Sequence, residues 1–529
     1  MQKRLVHTSN LHTLEAVSVL VFLWQALRVI FSVVFGIIYD QIFEGQLNFW
    51  LPVSNLLVIA ALLAPALAGR RGWGSKLSIA ALLAALARLA LTVNDPVVRY
   101  WCGLVVLAAG GVYLATLLTA ARRMAFTALI ASLALDQVLR VVGHTYDISL
   151  RAGWLPIQGI WSVSVIAIAI WLWRNRQRDA PGEHPSAGIS LVGGLALGGW
   201  MFVESSLLAL PNVIARWSDG AYPVIAPMLL ALTLLPLLPP VHRAVRASGS
   251  SRAVRLVVSL VFALGLMLGY FFNGTAAVVA LLLAQASALA MAIYILDGSP
   301  PTPRPAGLML ALGLVLLLVL NFANAFAFTY PYTLPAMRGM GWAVYLAAAL
   351  AIGTGAAIIA SSGELAPLRT EWLPVALGGL AAVIVAIAAV WPRPVTTLDD
   401  SGQVRVGTYN IHYGYDDAWH LSLEWIAQTI EETGADIVAL QEVDTGRMTS
   451  YGIDDAYYLA RRLRMRVEYL PTVEHLTGIA LLYRDPATAT GKTLVTSQQE
   501  QTGVVLVRVE AGGERLNAYG IWMGLEDED

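Results

Sequence analysis

Thirteen apolar stretches follow one another through the first three-quarters of the chain, each of a length that crosses a lipid bilayer as a helix. They fall at about 14–38, 50–69, 76–94, 98–120, 124–142, 154–173, 187–210, 220–238, 253–272, 274–296, 306–328, 341–361 and 373–391, where a span needs roughly 17–25 residues. Prolines punctuate them. Leu235-Pro236-Leu237-Leu238-Pro239-Pro240 and Ser299-Pro300-Pro301-Thr302-Pro303 read as helix ends and connections. The glycine pairs Gly193-Gly194, Gly198-Gly199 and Gly378-Gly379 predict close helix packing.

After Trp391-Pro392-Arg393-Pro394-Val395 the pattern changes. Residues 396–403 form a short polar linker, and from Val404 strands alternate with helices. Apolar runs of strand length occur at 404–411 and 436–443. Between them lies a helix near 420–433, with Leu423, Ile426 and Ile430 on one face and Trp425 beside them. A helix near 454–465 follows, then short strands near 466–470, 478–484, 492–496, 503–510 and 514–523. The expected organisation is a polytopic α-helical membrane domain over 1–395, the linker, and an α/β domain over 404–529.

Charge sharpens this division. The chain is 57% hydrophobic and 13% charged, about half the charged content usual in soluble proteins. Its net charge of −1 hides an asymmetry. Residues 1–395 hold 24 Lys and Arg against 13 Asp and Glu, and residues 396–529 hold 10 against 22. The acidic second part makes nucleic acid an unlikely partner, because that needs a basic footprint.

With the N-terminus cytoplasmic, sixteen basic residues fall in cytoplasmic segments: Lys3, Arg4, Arg70, Arg71, Lys76, Arg122, Arg123, Arg174, Arg176, Arg178, Arg243, Arg246, Arg252, Arg255, Arg304 and Arg369. Only Arg99, Arg151, Arg216 and Arg338 fall outside. This bias predicts an extracytoplasmic C-terminal domain. Met1-Gln2-Lys3-Arg4 precedes an apolar stretch without a small-residue cleavage site, which reads as an uncleaved first helix. The single cysteine, Cys102, allows no intrachain disulfide.

Polar side chains interrupt several spans: Glu15, Gln25 and Arg28; Arg88; Asp136, Gln137 and Arg140; Glu204; Gln285; Asn321 and Asn324. Asp136 and Arg140, four residues apart, are expected to neutralise one another. Two readings stand for the set. One is polar glue between helices. The other is an intramembrane lipid-head-group or substrate site, with Glu15, Arg28 and Glu204 foremost and Asp136 and Arg140 beside them.

The chemistry of the second part centres on Asp436-Ile437-Val438-Ala439-Leu440-Gln441-Glu442-Val443-Asp444. Glu442 stands where this run stops being apolar, and Asn410 ends the preceding strand. Neighbouring strands would set the amide and the carboxylate side by side at a sheet edge, as oxygen ligands for a divalent metal. His412 follows Asn410 by two, so alternation puts both on one face. Glu474 and His475 precede a strand and are candidate pocket residues, with an ordinary loop or edge position as the plainer reading of both histidines. The Arg461, Arg462, Arg464 and Arg466 cluster reads either as a phosphate attractor or as a solvated helix end.

Thr408-Tyr409-Asn410-Ile411, then Leu440-Gln441-Glu442-Val443-Asp444, then Gly478-Ile479-Ala480-Leu481-Leu482 resemble the first half of the endonuclease/exonuclease/phosphatase superfamily. That superfamily includes DNase I-like nucleases, sphingomyelinases and inositol-phosphate phosphatases. With the multi-span region in front, the architecture resembles the eukaryotic membrane proteins that remodel the lipid of glycosylphosphatidylinositol (GPI) anchors. The resemblance implies a DNase I-like, four-layer α/β sandwich, present in part. It implies Glu442 as the metal ligand and Asn410 as the catalytic asparagine beside metal and scissile phosphate. Gln441 and Asp444 take supporting roles, and the cofactor is a divalent metal, Mg²⁺.

Two departures qualify the match. Trp522-Met523 stands where the family presents Thr-His. The family's Gly-Asp-Phe-Asn and terminal Asp-His segments would fall beyond Asp529, so the chain is expected to be a truncated, catalytically incomplete form. The foremost functional expectation is a membrane-tethered, metal-dependent phosphodiesterase or phosphoesterase acting on an extracytoplasmic phospholipid or glycolipid head group. The alternative is a non-catalytic head-group-binding module on a bundle that remodels or transfers lipid. An extracytoplasmic nuclease comes third. A membrane lipid or glycolipid is thus the expected partner, and the sequence specifies no protein partner.

Overall fold

The computed structural model describes residues 2–43, 50–68, 73–176, 188–298, 304–328, 334–359, 372–398, 403–495, 502–511 and 513–523. Several sequence readings lie outside the described residues: the side chains of Lys3, Arg4 and Arg176, the residues Arg70, Arg71, Arg178 and Arg369, the proline run at 300–303, and the acidic end at 524–529.

Among the described residues, every one of the thirteen apolar stretches contains helix. In chain order the helices are α1 (Gln2–Phe43), α2 (Trp50–Leu63), α3 (Trp73–Ala90), α4 (Pro96–Ala120), α5 (Arg122–Val142), α6 (Leu155–Arg176), α7 (Leu191–Val203), α8 (Pro211–Ser218), α9 (Tyr222–Leu234), α10 (Pro239–Ser248), α11 (Arg252–Phe271), α12 (Thr275–Asp297), α13 (Ala306–Ala327), α14 (Gly341–Ile358) and α15 (Trp372–Val390). Ten helices among the described residues are long and apolar enough to cross a membrane, or eleven if one bent pair counts as a span.

The shortfall from thirteen has local causes. α2 has 14 residues, about 21 Å of rise against a hydrocarbon core of about 30 Å. The stretch from Tyr222 turns by 76° into α10, at Pro236, Pro239 and Pro240, which cannot continue a helix.

The glycine pairs of α7 pack as the sequence predicts. A Cβ on Gly194 would meet the Met309 carbonyl oxygen at 2.3 Å, and one on Gly198 the Gly313 oxygen at 1.9 Å. α7 and α13 therefore touch backbone to backbone. Gly378-Gly379 is a correction. A Cβ on Gly378 would meet nothing within 4 Å, and one on Gly379 only Leu234 at 3.5 Å, because α15 turns most of its surface outward.

The second part contains β1 (Val406–Asn410), α16 (Leu423–Thr433), β2 (Ile437–Asp444), α17 (Asp455–Leu463), β3 (Arg466–Val473), β4 (Thr477–Tyr483), β5 (Ala489–Val495), β6 (Thr502–Ala511) and β7 (Glu514–Trp522). β1 runs parallel to β2. The first sheet has the order β1-β2-β4-β3, and the second, antiparallel sheet has the order β5-β6-β7. Alternation along β2 and β4 supplies both faces. Ile437, Ala439, Ile479 and Leu481 pack with Val505, Val507 and Val509 of the second sheet. Val438, Leu440 and Leu482 pack with Leu423, Ile426, Ile430 and Leu459 from α16 and α17. The described residues thus give a helix layer and two sheets. Trp425, expected beside the apolar face of α16, is instead 69% exposed.

The helix-layer core is continuous with the core of the helical part. The link is the segment between β2 and α17. Ser32 of α1 donates its hydroxyl to the Met448 carbonyl and accepts from the Tyr451 N–H. Arg140 donates to the carbonyls of Tyr451 and Gly452, Asn212 to those of Thr445 and Gly452, and Arg216 grips Asp454 at 2.7 and 3.0 Å.

Three of the four arginines read from sequence as extracytoplasmic therefore touch this domain. Arg99 reaches the Tyr451 hydroxyl, Arg151 reaches Glu424 and Arg216 reaches Asp454. Arg122, Arg255 and Arg304 instead bond to residues 188–189, 249, 298 and 357 at the opposite helix ends. The domain sits on the end of the bundle opposite Arg122, Arg255 and Arg304.

Candidate functional site

Asn410 is the last residue of β1 and lies in register with Gln441 of β2. One residue on, β2 breaks step with β4 between Leu440 and Val443. Glu442 sits in this bulge with φ +54°, a left-handed conformation that a non-glycine residue adopts at some cost and that clusters at functional sites. The bulge brings the Glu442 carboxylate beside the Asn410 side chain. The Asn410 Oδ1 accepts from the His412 N–H at 3.0 Å, which leaves the amide N–H₂ as the group able to face Glu442. Burial pushes the Glu442 carboxyl above the usual range, and the Asn410 bond and His412 pull it partly back.

His412 does not reach this edge by alternation, as the sequence pattern suggests. β1 stops at Asn410, and His412 and Tyr413 turn the chain with φ +46° and +56°. The imidazole packs between Tyr39 of α1, with ring centres 5.9 Å apart, and Trp419, at 5.1 Å. Trp419 also packs edge-on to Phe35, and a Cβ on Gly36 would strike its ring at 2.7 Å. The end of α1 thus braces the histidine beside Glu442.

The other supporting residues are employed elsewhere. Gln441 bonds the Thr408 hydroxyl and faces a cleft of about 500 Å³ between the two sheets, with Ala439 and Tyr519 on its walls. Asp444 is fully buried and accepts from the Ser450 and Thr477 hydroxyls, with Arg447 at 3.6 Å. It fixes the start of the docking segment. Glu474 accepts from the Tyr270 hydroxyl and the Gly341 N–H. His475 packs against Trp217 and Tyr270 at 5.0 and 4.6 Å, and burial lowers its pKa to about 4. Both residues fasten the β3–β4 turn to the bundle.

The arginine cluster is also spent on structure. Arg461 caps the last carbonyls of α15, at Ala389 and Trp391, and Arg462 pairs with Glu424 and Glu431. Trp522 ends β7 opposite Gly503, and Met523 is exposed.

The five charged residues inside the bundle do not form one cavity. Arg28 clamps both oxygens of Asp136 and reaches Asp147 at 3.3 Å. Asp136 thus pairs across helices with Arg28 and not with Arg140, which turns to the docking segment. Glu15 accepts from the Tyr113 hydroxyl and Glu204 from Gln285. Glu15 lies 13 residues before Arg28 on α1, about 20 Å along the axis. Glu204 opens a π-turn that ends α7.

Four buried acids escaped the sequence reading: Asp147, Asp455, Asp454, which holds Arg216, and Asp297, which pairs with His242. Asp147 follows α5 and completes the Arg28 cluster. Asp455 opens α17, where burial together with Asp444 and Asp454 holds its pKa well above the carboxylate range. Asp455 passes on sequence for an ordinary first-turn acid, and only the depth of docking removes it from water.

No group of three His, Cys, Asp or Glu able to hold a metal occurs among the described residues. Glu442 and Asn410 offer one carboxylate and one amide. That donor set suits a magnesium ion that keeps most of its waters, and falls short of a zinc or calcium cage.

A mixed sheet packed on a second sheet, with an Asn–Glu pair at the end of parallel strands, is the arrangement of an endonuclease/exonuclease/phosphatase-like domain. The comparison of sequences agrees: residues 401–529 match the family model described as the PGAP2IP, C-terminal nuclease-like domain. No curated protein matches the chain.

Proposed function

We propose that the protein is a multi-pass membrane phosphoesterase whose C-terminal domain acts, with Mg²⁺, on the head group of a phospholipid or GPI-like glycolipid outside the cytoplasm. The observation that carries this reading is the Asn410–Glu442 pair at the end of β1 and β2, in a domain matching the nuclease-like family. Glu442 would hold the metal and Asn410 would orient it and the scissile phosphate. When bound, the ion supplies polarisation of a phosphoryl oxygen. The net acidity of residues 396–529 disfavours nucleic acid, and docking on a bundle with ten helices of spanning length favours a lipid. The arginine bias between the two bundle ends supports the extracytoplasmic side.

The test is head-group release from phospholipid vesicles by the full chain, with Mg²⁺ and with EDTA. Metal-dependent release, reduced to background in Glu442→Ala, is expected. Release unaffected by that substitution would refute the role of Glu442. A second reading, a head-group-binding module without catalysis, is favoured by Trp522-Met523, since neither side chain carries a proton as imidazole does. It is adopted if the vesicles bind the protein and release nothing.

A further inference from the structure

A second cleft, of about 640 Å³, opens where the domain meets the bundle. Thr92 and Asn94, between α3 and α4, form one wall, and Tyr146 and Arg151, between α5 and α6, form another. Glu424 and Trp425 of α16 cover it. Asn94 closes its inner side by exchanging two hydrogen bonds with the Leu421 backbone. Asn410, His412 and Glu442 are not among its lining residues, so the cleft is separate from the Glu442 edge.

Its position and its charges point to one kind of ligand. The mouth lies at the ends of α3, α4 and α6. From there an exposed apolar row, Leu155, Ile157, Ile160 and Val163, runs down α6, and Val97 and Trp101 run down α4. Acyl chains would lie along these rows with the head group held at the cleft. Trp154 and Trp425 stand at that level, as tryptophans do at membrane surfaces. The cleft holds opposite charges side by side. Arg151, stacked at 5.4 Å on Tyr146 and 5.7 Å on Tyr458, meets Glu424 at 2.6 Å, and Glu424 also accepts from the Tyr458 hydroxyl and pairs with Arg462 at 3.2 Å. Arg151 and Glu424 are partly exposed, so their ion pair contributes little and opens readily. Behind the wall four buried arginines, Arg28, Arg88, Arg99 and Arg140, face two buried aspartates, Asp136 and Asp147. The surplus is positive, and Arg88, one turn before Thr92, donates its Nε to Gln25 and stacks on Phe22 and Trp161, while its terminal guanidinium nitrogens make no hydrogen bond among the described residues.

We propose that this cleft binds a zwitterionic phospholipid head group. Arg151, with the positive surplus behind it, takes the phosphate, and Glu424 with the face of Trp425 takes the amine. The site belongs to the bundle–domain junction and does not depend on catalysis at Glu442.

The test is binding calorimetry on the detergent-solubilised full chain in EDTA, which suppresses metal-dependent turnover. The probes are dihexanoyl phosphatidylethanolamine, dihexanoyl phosphatidic acid and inorganic phosphate. Phosphatidylethanolamine is expected to bind best and inorganic phosphate weakest. Glu424→Gln should cost phosphatidylethanolamine roughly 10-fold while sparing phosphatidic acid, and Arg151→Gln should weaken both roughly 10-fold, the loss of one charge-assisted contact. Trp425→Ala alters an exposed residue, leaves the fold intact, and should weaken both lipids. Equal affinity for the two lipids, phosphate binding as tight as lipid binding, or insensitivity to Arg151→Gln would each overturn the proposal. Because no hydrolysis is measured, such a failure leaves the reading of Glu442 standing.

Discussion

Glu442 and Asn410 were legible in the sequence because each ends an apolar run of strand length, and two such strands side by side bring their ends together. The bulge that aims Glu442 was not, since a left-handed residue leaves no compositional mark unless it is glycine. The same limit applies to His412. Alternation is a property of strands, and the chain leaves β1 one residue too early for it to hold. Asp136 shows the reverse case. Its i+4 partner was obvious from spacing, but Arg28, distant in sequence, has the better geometry. At this scale Asp455 offers a pH test. Its folded pKa is raised by burial, so its contribution to stability is complete below the unfolded value of about 3.9 and is lost as pH rises through the folded pKa. Melting temperatures measured across pH should fall on the alkaline side for the wild type and fall less for Asp455→Asn.

Among the elements, helix existence followed from apolar length alone, while the number of helices fit to span did not. A proline bend after α9 and a short α2 take two of the thirteen stretches out of the ten among the described residues. Glycine pairs likewise say that close packing is possible and not that it occurs. The contrast between α7 and α15 can be measured. Gly198→Ala places a methyl 1.9 Å from the Gly313 oxygen and should destabilise the bundle by about 1–3 kcal/mol or more, the range for overpacking. Gly378→Ala, with nothing within 4 Å, should change little and can gain slightly from helix propensity. Thermal unfolding in detergent compares the two.

For the whole molecule, the docking of the two parts organises everything near the site. β2 carries Glu442 and runs directly into the segment held by Ser32, Arg140, Asn212 and Arg216, and α1 braces His412 through Tyr39. No sequence pattern announces this, because the contacts join residues more than 200 positions apart through backbone carbonyls. The arginine bias of the sequence predicts an extracytoplasmic side for the domain, and the structure adds only which helix ends the domain covers. Arg140→Ala removes two donors from buried carbonyls and should raise amide exchange at residues 445–454 by roughly 10-fold, with β5–β7 unaffected. Uniform exchange across the chain would show loss of the fold in place of loss of docking.

The most direct test of the central claim, that Glu442 and Asn410 form a metal-holding edge, is a Mn²⁺ titration of the metal-stripped full chain followed by electron paramagnetic resonance. One site per chain is expected, absent in Glu442→Ala and weakened roughly 10- to 100-fold in Asn410→Ala. Its affinity should fall as pH drops through the raised pKa of Glu442. Wild-type Mn²⁺ binding in Glu442→Ala would contradict the account.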